Sequence, residues 1–344
     1  MTPAPLKISD QLIAPGSRTR VDITLPSLFT QNPVVLPVHV LHGRRPGPRL
    51  FVTAAVHGDE INGIEIIRRL LAMTALRHLH GTLLAVPVVN VYGFIRLSRY
   101  LPDRRDLNRS FPGSESGSLA ARLAAIVLNE VVKDSDLGID LHTGAAHREN
   151  LPQLRAALDD IGLLDLASAF GAPVIINSEL RDGSLRAESA ALGVPVLVYE
   201  GGEALRFNEL AIRAGLRGAL GVMRHLGMLR RSRRAPSTQP ALARSTQWAR
   251  AGQSGVLGQV KRLGARVGRG EQLATISDPF GDSDTPVNAP VSGIIIGRTN
   301  LPLVTEGEAL FHIARFGQTD AAVESVEQLQ SLLDPPDDLF VDAT

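Results

Sequence analysis

The sequence predicts an α/β fold with a mostly parallel or mixed sheet flanked by helices, followed by a small C-terminal all-β, barrel-like domain. Three observations carry this expectation. From Phe51 to Leu229, apolar strand-like runs alternate with stripes of helical spacing, the pattern of a sheet covered by helices on both faces. From Thr246 to Ile313 the strands become short, glycines frequent, and helical stripes vanish, as in small barrels and sandwiches. Between them, Arg230, Arg231, Arg233 and Arg234 run into Pro236, Ser237, Thr238 and Pro240, which reads as a solvated linker. The expected organisation is a large domain over 1–229, a linker over 230–245, a β-domain over 246–316, and an acidic, mobile tail over 317–344.

The elements follow in order. Val21 to Leu25 alternates and reads as a lead-in strand; Val34 to Leu41 is a second strand, and Gly43 to Pro48 a turn. Phe51 to Val56 is a buried strand, and Ile61, Ile64, Ile67, Leu70 and Leu71 recur at helical spacing behind it,. Thr82 to Val89 is the next strand, and Ser118 to Val132 a helix with Leu119, Leu123, Ile126, Val127 and Val131 on one stripe. A strand ending in DLHT follows, then a helix around Leu154 to Ala169 and the short strand PVIIN. A helix near Leu185 to Leu192, the strand VPVLVYE ending at Glu200, and a helix from Leu205 to Leu229 complete the large domain.

Composition excludes several classes of function. The 344 residues are 44% hydrophobic and 21% charged with a formal net charge of +1, so neither nucleic acid nor an anionic membrane is expected as a partner. No cysteine is present, which leaves His and carboxylates as the ligands of any metal. The N-terminus lacks a basic region followed by an apolar one, and no apolar run approaches the ~20 residues of a membrane span. A cytoplasmic protein is the expectation.

The stretch FVTAAVHGDEIN delivers His57, Gly58, Asp59 and Glu60 onto a strand-to-helix turn, where α/β proteins place their chemistry. An imidazole and a carboxylate three residues apart can converge on one cation, and such N/O ligation suits Zn²⁺. His142, at the end of LGIDLHT, offers a third ligand and leaves a fourth position open. The period of two puts Asp140 on the same side as His142, where it could take the free N–H of a ligating histidine. On the HxxE spacing alone, a solvated His57 with Asp59 and Glu60 complementing a helix dipole is an equal alternative.

Asn90 to Gly113 is a long polar connection carrying Arg96, Arg99, Arg104, Arg105 and Arg109 beside Asp106 and Asn108. Loops of that length are usually functional; an arginine there can polarise a scissile carbonyl, and another can clamp a substrate carboxylate. Glu200 ends an otherwise apolar strand, where burial would raise a carboxyl pKa and suit it to proton transfer. His147, Arg148 and Asn150 follow the third ligand on a loop and are expected to face the substrate.

HGDE, DLNRSFPG, DLHTG and VYEGG, in this order and at these distances, resemble the succinylglutamate desuccinylase/aspartoacylase family, a branch of the zinc carboxypeptidase superfamily. The resemblance covers roughly Leu50 to Leu229, and a small β-domain after the linker is usual for that family. It implies a zinc-carboxypeptidase-like fold and one Zn²⁺ per chain held by His57, Glu60 and His142. Glu200 matches the carboxylate that activates water, Asn108 and Arg109 the pair that grips the substrate carboxylate, and Asp140 the partner of the first histidine. The carbonyl-polarising arginine matches Arg99 in its Arg-Tyr dipeptide, with Arg105 a competitor because LPDRR shifts the spacing.

The implied activity is hydrolysis of the amide of a small N-acyl amino acid or related N-acylated amine. A metallocarboxypeptidase acting on peptide C-termini is the nearest alternative, and a non-catalytic binding or carrier protein on a decayed hydrolase is a third. The segments GARVGRGEQLATI and VNAPVSGIII also resemble biotinyl/lipoyl-type barrels, but Lys261 sits inside KRLG rather than in a modifiable setting, so the module is expected to be structural or a lid. An exposed apolar face on it would make a natural contact for a homo-oligomer.

Overall fold

The computed structural model describes residues 3–158, 161–231, 240–317 and 319–333. Strands β1 (Leu6–Ile8) and β2 (Gln11–Ile13) pair antiparallel, followed by β3 (Ser17–Leu25), β4 (Val34–His42) and β5 (Arg45–Ala54). Then come α1 (Asn62–Ala72), β6 (His80–Val86), α2 (Val91–Ile95), α3 (Leu119–Val127), β7 (Leu137–Gly144), β8 (Arg148–Ala156), α4 (Ile161–Phe170), β9 (Val174–Asn177), α5 (Leu185–Ala191), β10 (Val196–Glu203) and α6 (Glu209–His225). The C-terminal part holds β11 (Ala241–Arg250), β12 (Gly255–Gly258), β13 (Arg266–Val267), β14 (Gln272–Ser277), β15 (Asp284–Asn288), β16 (Gly293–Thr299), β17 (Leu303–Val304), β18 (Ala309–Phe316) and α7 (Thr319–Leu333).

One mixed 12-stranded sheet runs through the molecule in the order β13-β16-β18-β11-β9-β8-β10-β7-β5-β6-β4-β3. Its centre, β6-β5-β7-β10, is parallel, and Leu50, Phe51 and Val52 of β5 are fully buried between two helical layers. That is why the strand sequence reads as a continuous apolar run rather than an alternation. Ile66, Ile67 and Leu70 of α1 pack with Val52, Ala54, Ile139 and Leu141 and with α6 on one side. Leu123, Val127 and Leu185 of α3 and α5 cover Phe51 and Val196 on the other. Among the described residues no helix is long and apolar enough to cross a membrane.

The mixed α/β architecture with additional all-β strands agrees with the expected fold class, but several local expectations need correction. The turn expected over Gly43 to Pro48 is shorter, because β5 begins at Arg45 and pairs with β6 from Arg45↔His80 onward. The helix expected around Leu154 to Ala169 is β8 followed by α4. Leu151, Leu154 and Leu158 have helical spacing, but β10 and β9 pair with Gln153, Leu154 and Arg155 from both sides, and the sheet wins.

In the C-terminal part, β11 starts at Ala241 inside the expected linker and pairs parallel with β9, while β16 pairs with β8. Strands β11, β13, β16 and β18 therefore belong to the main sheet, while among the described C-terminal strands β15-β14-β12-β17 form a separate one. Residues 319–333, expected as part of the mobile tail, form α7, whose Ala322 and Val326 pack with Val174, Ala243 and Ile294. Residues 232–239 of the linker and 334–344 of the tail lie outside the described residues. Lys261 is ion-paired with Glu271.

Candidate active site

The C-terminal ends of β5, β7 and β10 meet at one rim of the sheet, and the turn after β5 is held there by backbone contacts. Ala55 takes a left-handed φ of +50°, and the Ala54 and Ala55 carbonyls accept from Val89 N and Asn90 N at 3.0 and 2.9 Å. A Cβ at Gly58 would run into the backbone of Gly93 in α2, so only glycine lets the turn approach so closely. Asn62, fully buried at the start of α1, donates from Nδ2 to Gly201 O at 3.1 Å and accepts from Asn208 N at 3.1 Å. The turn after β5 is thereby tied to the end of β10.

His57, Glu60 and His142 converge on this rim, each offering one ligand atom within 4.8 Å of the others. Glu60 is only 2% exposed. Its Oε1 lies 2.7 Å from His57 Nδ1 and its Oε2 2.8 Å from His142 Nδ1. Behind the histidines stand further carboxylates: Asp140 Oδ2 is 2.7 Å from His142 Nε2, and Asp106 Oδ1 is 3.3 Å from His57 Nε2. Asp140 Oδ1 accepts in turn from Thr53 Oγ1 at 2.8 Å.

Burial alone would lower both imidazoles and raise Glu60. Instead Asp140 and Glu60 hold His142 well above its ordinary value, Glu60 and Asp106 raise His57, and the two histidines hold Glu60 well below the carboxylate range.

These atoms suit a metal ion. A neutral imidazole has one N–H; if each histidine gives it to the carboxylate behind Nε2, both Nδ1 lone pairs and the Glu60 oxygens point at one another. Either a proton on each ring or a metal ion between them relieves such a meeting of electron pairs, and a carboxylate behind each ring is the arrangement that orients metal-ligating histidines. The His57, Glu60 and His142 group could therefore hold a metal ion.

The partner expected for the first histidine is different. Asp140 faces His142, while Asp106 faces His57. Asp106 belongs to the loop between α2 and α3, where its Oδ1 accepts from Asn108 N at 2.8 Å at the start of a short 3-10 turn, Leu107–Arg109. Arg99 joins the same network, with Nη2 2.9 Å from Asp106 Oδ2 and Nη1 3.4 Å from Glu60 Oε1. Asp106 is held low against its own burial by His57 and Arg99. Arg105 stands apart, its side chain 63% exposed beside Asp103.

Glu200 lies next to His142 across the parallel pair β10 and β7, on the same face of the sheet,. Its surroundings are not the apolar ones expected from its strand: Arg155 Nε sits 2.9 Å from Oε1, and Asn150 Nδ2 donates to Oε2 at 2.6 Å. Asn108 Oδ1 accepts from Leu185 N at 2.9 Å, which anchors the start of α5 to the 3-10 turn, and Arg109 Nη1 donates to the Asn108 carbonyl.

His147 is held by its backbone between β10 and the end of β16, and the Arg148 side chain is turned toward the C-terminal strands. His147 N donates to Glu203 Oε1 at 3.0 Å, and its carbonyl accepts from Asn300 N at 2.7 Å. The Arg148 guanidinium rests 5.7 Å from the Trp248 ring, which stacks on His312 at 4.4 Å.

Sequence reasoning missed Asp106, Arg155 and Arg186. Arg186, buried on α5, has burial first and the like charges of Arg155 and Arg181 next lowering its pKa, with Glu200 opposing. Asp106 stood in the long functional loop, and the further signal for it was its N-cap residue type in DLNR.

Fold and rim together define an α/β protein with a buried His, Glu, His group and a strand-end carboxylate beside it. Residues 46–226 match the succinylglutamate desuccinylase/aspartoacylase catalytic domain, and the chain belongs to that family. It is 28% identical over 296 residues to the N-alpha-acetyl-L-2,4-diaminobutyric acid deacetylase of Halomonas elongata, covering 82% of this chain and 86% of that protein.

Among solved structures, a succinylglutamate desuccinylase/aspartoacylase from Rhodobacter sphaeroides superposes with a TM-score of 0.78 at 25% identity, covering 88% of this chain and 96% of that one. The product-bound ectoine utilization protein of Ruegeria pomeroyi gives 0.80 at 24% identity, covering 91% and 99%; at that identity the likeness speaks for the fold.

Proposed function

We propose that the protein is a zinc-dependent deacylase that hydrolyses the amide bond of an N-acyl amino acid or related N-acylated amine, releasing a carboxylate and a free amine. The observation that carries this reading is the convergence of His57 Nδ1, His142 Nδ1 and the Glu60 carboxylate, with Glu200 in register beside His142. N/O donors of this kind suit Zn²⁺. Bound there, zinc supplies Lewis acidity, making water nucleophilic near neutral pH and drawing charge from the amide oxygen.

The chain's own residues do the rest. Glu200 takes a proton from the attacking water and returns one to the departing nitrogen, a role that needs one carboxylate within reach of both atoms. Arg99, whose Nη1 is already 3.4 Å from Glu60 Oε1, stabilises charge developing on the carbonyl oxygen, and the outward-facing Arg105 does not. Arg109 and the free amide nitrogen of Asn108 bind a substrate carboxylate. The positive charges of Arg155, paired with Glu200, and of Arg186, near both, favour an anionic substrate,. Asp140 and Asp106 fix the ring orientation of His142 and His57.

Asp140→Asn is expected to weaken zinc affinity about 10–100-fold while the fold persists, because the amide keeps the shape but not the charge behind His142. Competition titration against a zinc chelator measures this; unchanged affinity would remove Asp140 from the metal site. The reading as a whole is tested by amine release from N-acetyl, N-formyl and N-succinyl amino acids and short peptides. Release from the N-acyl amino acids is expected, and release from peptide C-termini alone would replace the deacylase by a carboxypeptidase.

A further inference from the structure

The C-terminal strand β16 pairs antiparallel with β8 at Gly297↔Asn150, Arg298↔Glu149 and Thr299↔Arg148, and the first of these pairs carries the contact to Glu200. Asn150 is the residue whose Nδ2 donates to Glu200 Oε2 at 2.6 Å. Its other amide atom, Oδ1, points at Gly297: a Cβ built there would stand 2.9 Å from Asn150 Oδ1 and 3.2 Å from His312 Cβ. Carbon and oxygen do not approach to 2.9 Å without one yielding, and the amide of Asn150 is the group able to turn. An end-for-end flip would bring Nδ2 to the same point and relieve nothing, so the amide has to tilt or move aside, which takes Nδ2 out of line with Glu200 Oε2 and breaks the hydrogen bond,.

Contacts to the residue before β8, to the start of β8 and to the end of β10 reinforce the pairing. Asn300 N donates to His147 O at 2.7 Å, Asn300 Nδ2 donates to Glu203 Oε2 at 2.8 Å, and Arg298 Nη2 lies 3.5 Å from Glu149 Oε2. Both ladders at this point are irregular. The β10–β8 register shifts between Glu200 and Gly202, and the β16–β18 register between Ile295 and Gly297. Bulges that re-aim a side chain occur at such places.

We propose that β16 is a positioning element for the base: Gly297 sets the amide of Asn150, and Asn150 sets the carboxylate of Glu200. Asn150 is a positioning residue acting through Glu200, and Arg155 holds the second oxygen. The carboxylate is then fixed at both ends by groups that touch no substrate. This gives the C-terminal strands a part in the reaction without lending it a reacting group. The inference rests on the deacylase reading above.

The test uses full-length, zinc-loaded protein and an N-acyl amino acid that the wild type hydrolyses. Gly297→Ala and Asn150→Ala are each expected to lower kcat about 10–100-fold, the scale of a misplaced catalytic group, with KM and zinc content unchanged. The double variant should be no slower than Asn150→Ala alone, since the two residues act on one link. Gly258→Ala in β12, where a Cβ meets nothing within 4 Å, should keep wild-type kcat.

A wild-type kcat in Gly297→Ala or Asn150→Ala, a loss confined to KM, or losses that multiply in the double variant would overturn the proposal. Should Gly297→Ala fail to fold by circular dichroism, the kcat and KM of Asn150→Ala decide alone. A wild type that hydrolyses no N-acyl substrate overturns the deacylase reading instead. The positional claim is then judged from the crystal structure of Gly297→Ala: an Asn150 amide still donating to Glu200 sinks it, and one turned away upholds it.

Discussion

Glu200→Gln is expected to keep its zinc and lose turnover by roughly 10²–10⁴-fold, the range that a positioned general acid–base contributes. The substitution changes neither size nor strand register, so β10 still pairs with β7 at Glu200↔His142. It removes the one property the mechanism requires, since a carboxamide neither takes a proton from water nor returns one to an amine. The zinc should stay because Glu200 is not among the three converging ligand atoms. Steady-state kcat together with elemental analysis measures both halves of the expectation. Wild-type-like rates would remove Glu200 from the mechanism, and lost zinc would make it a ligand.

His142→Ala is expected to lose the metal and, with it, all turnover. It also leaves a structural deficit. His142 lies between two buried carboxylates, with Glu60 at Nδ1 and Asp140 at Nε2. Removing the ring leaves both carboxylates without that partner, and a buried polar group left unsatisfied costs about 1–3 kcal/mol, more when it is charged. A lowered melting temperature should therefore accompany the loss of zinc, and a full zinc complement would contradict the ligand set. His147→Ala separates these effects from a general loss of histidine, because the contacts His147 makes to Glu203 and Asn300 are through its backbone, and the variant should keep its metal.

The sequence was most legible where a side chain's position follows from its own strand. Phe51 to Val56 and LGIDLHT are apolar runs that end in polar residues, so the strand ends could be located and His57, Glu60 and His142 placed on one rim. The period of two was enough to put Asp140 behind His142. What could not be read depends on the path of chain between elements. Asp106 reaches His57 because the loop after α2 folds back over the turn, and Gly58 and Gly93 touch only in three dimensions.

The same limit explains the errors at longer range. NLPQLRAAL has the leucine spacing of a helix, and only the two neighbouring strands make it β8. The β-rich composition after residue 246 was legible, but not that β16 and β11 would extend the main sheet, since pairing partners leave no mark on a single strand's pattern. Arg155 beside Glu200 is a consequence of the β10–β8 register. It converts an expected apolar pocket into a charged one.

The central claim is that His57, Glu60 and His142 hold a zinc ion that serves amide hydrolysis. The most direct test is elemental analysis of the purified full-length protein, paired with amine release from N-acyl amino acids before and after chelation. The account predicts about one zinc per chain, release from N-acyl amino acids, loss of activity with the metal, and recovery when zinc is returned. Protein without metal and without turnover after zinc is added back would contradict it.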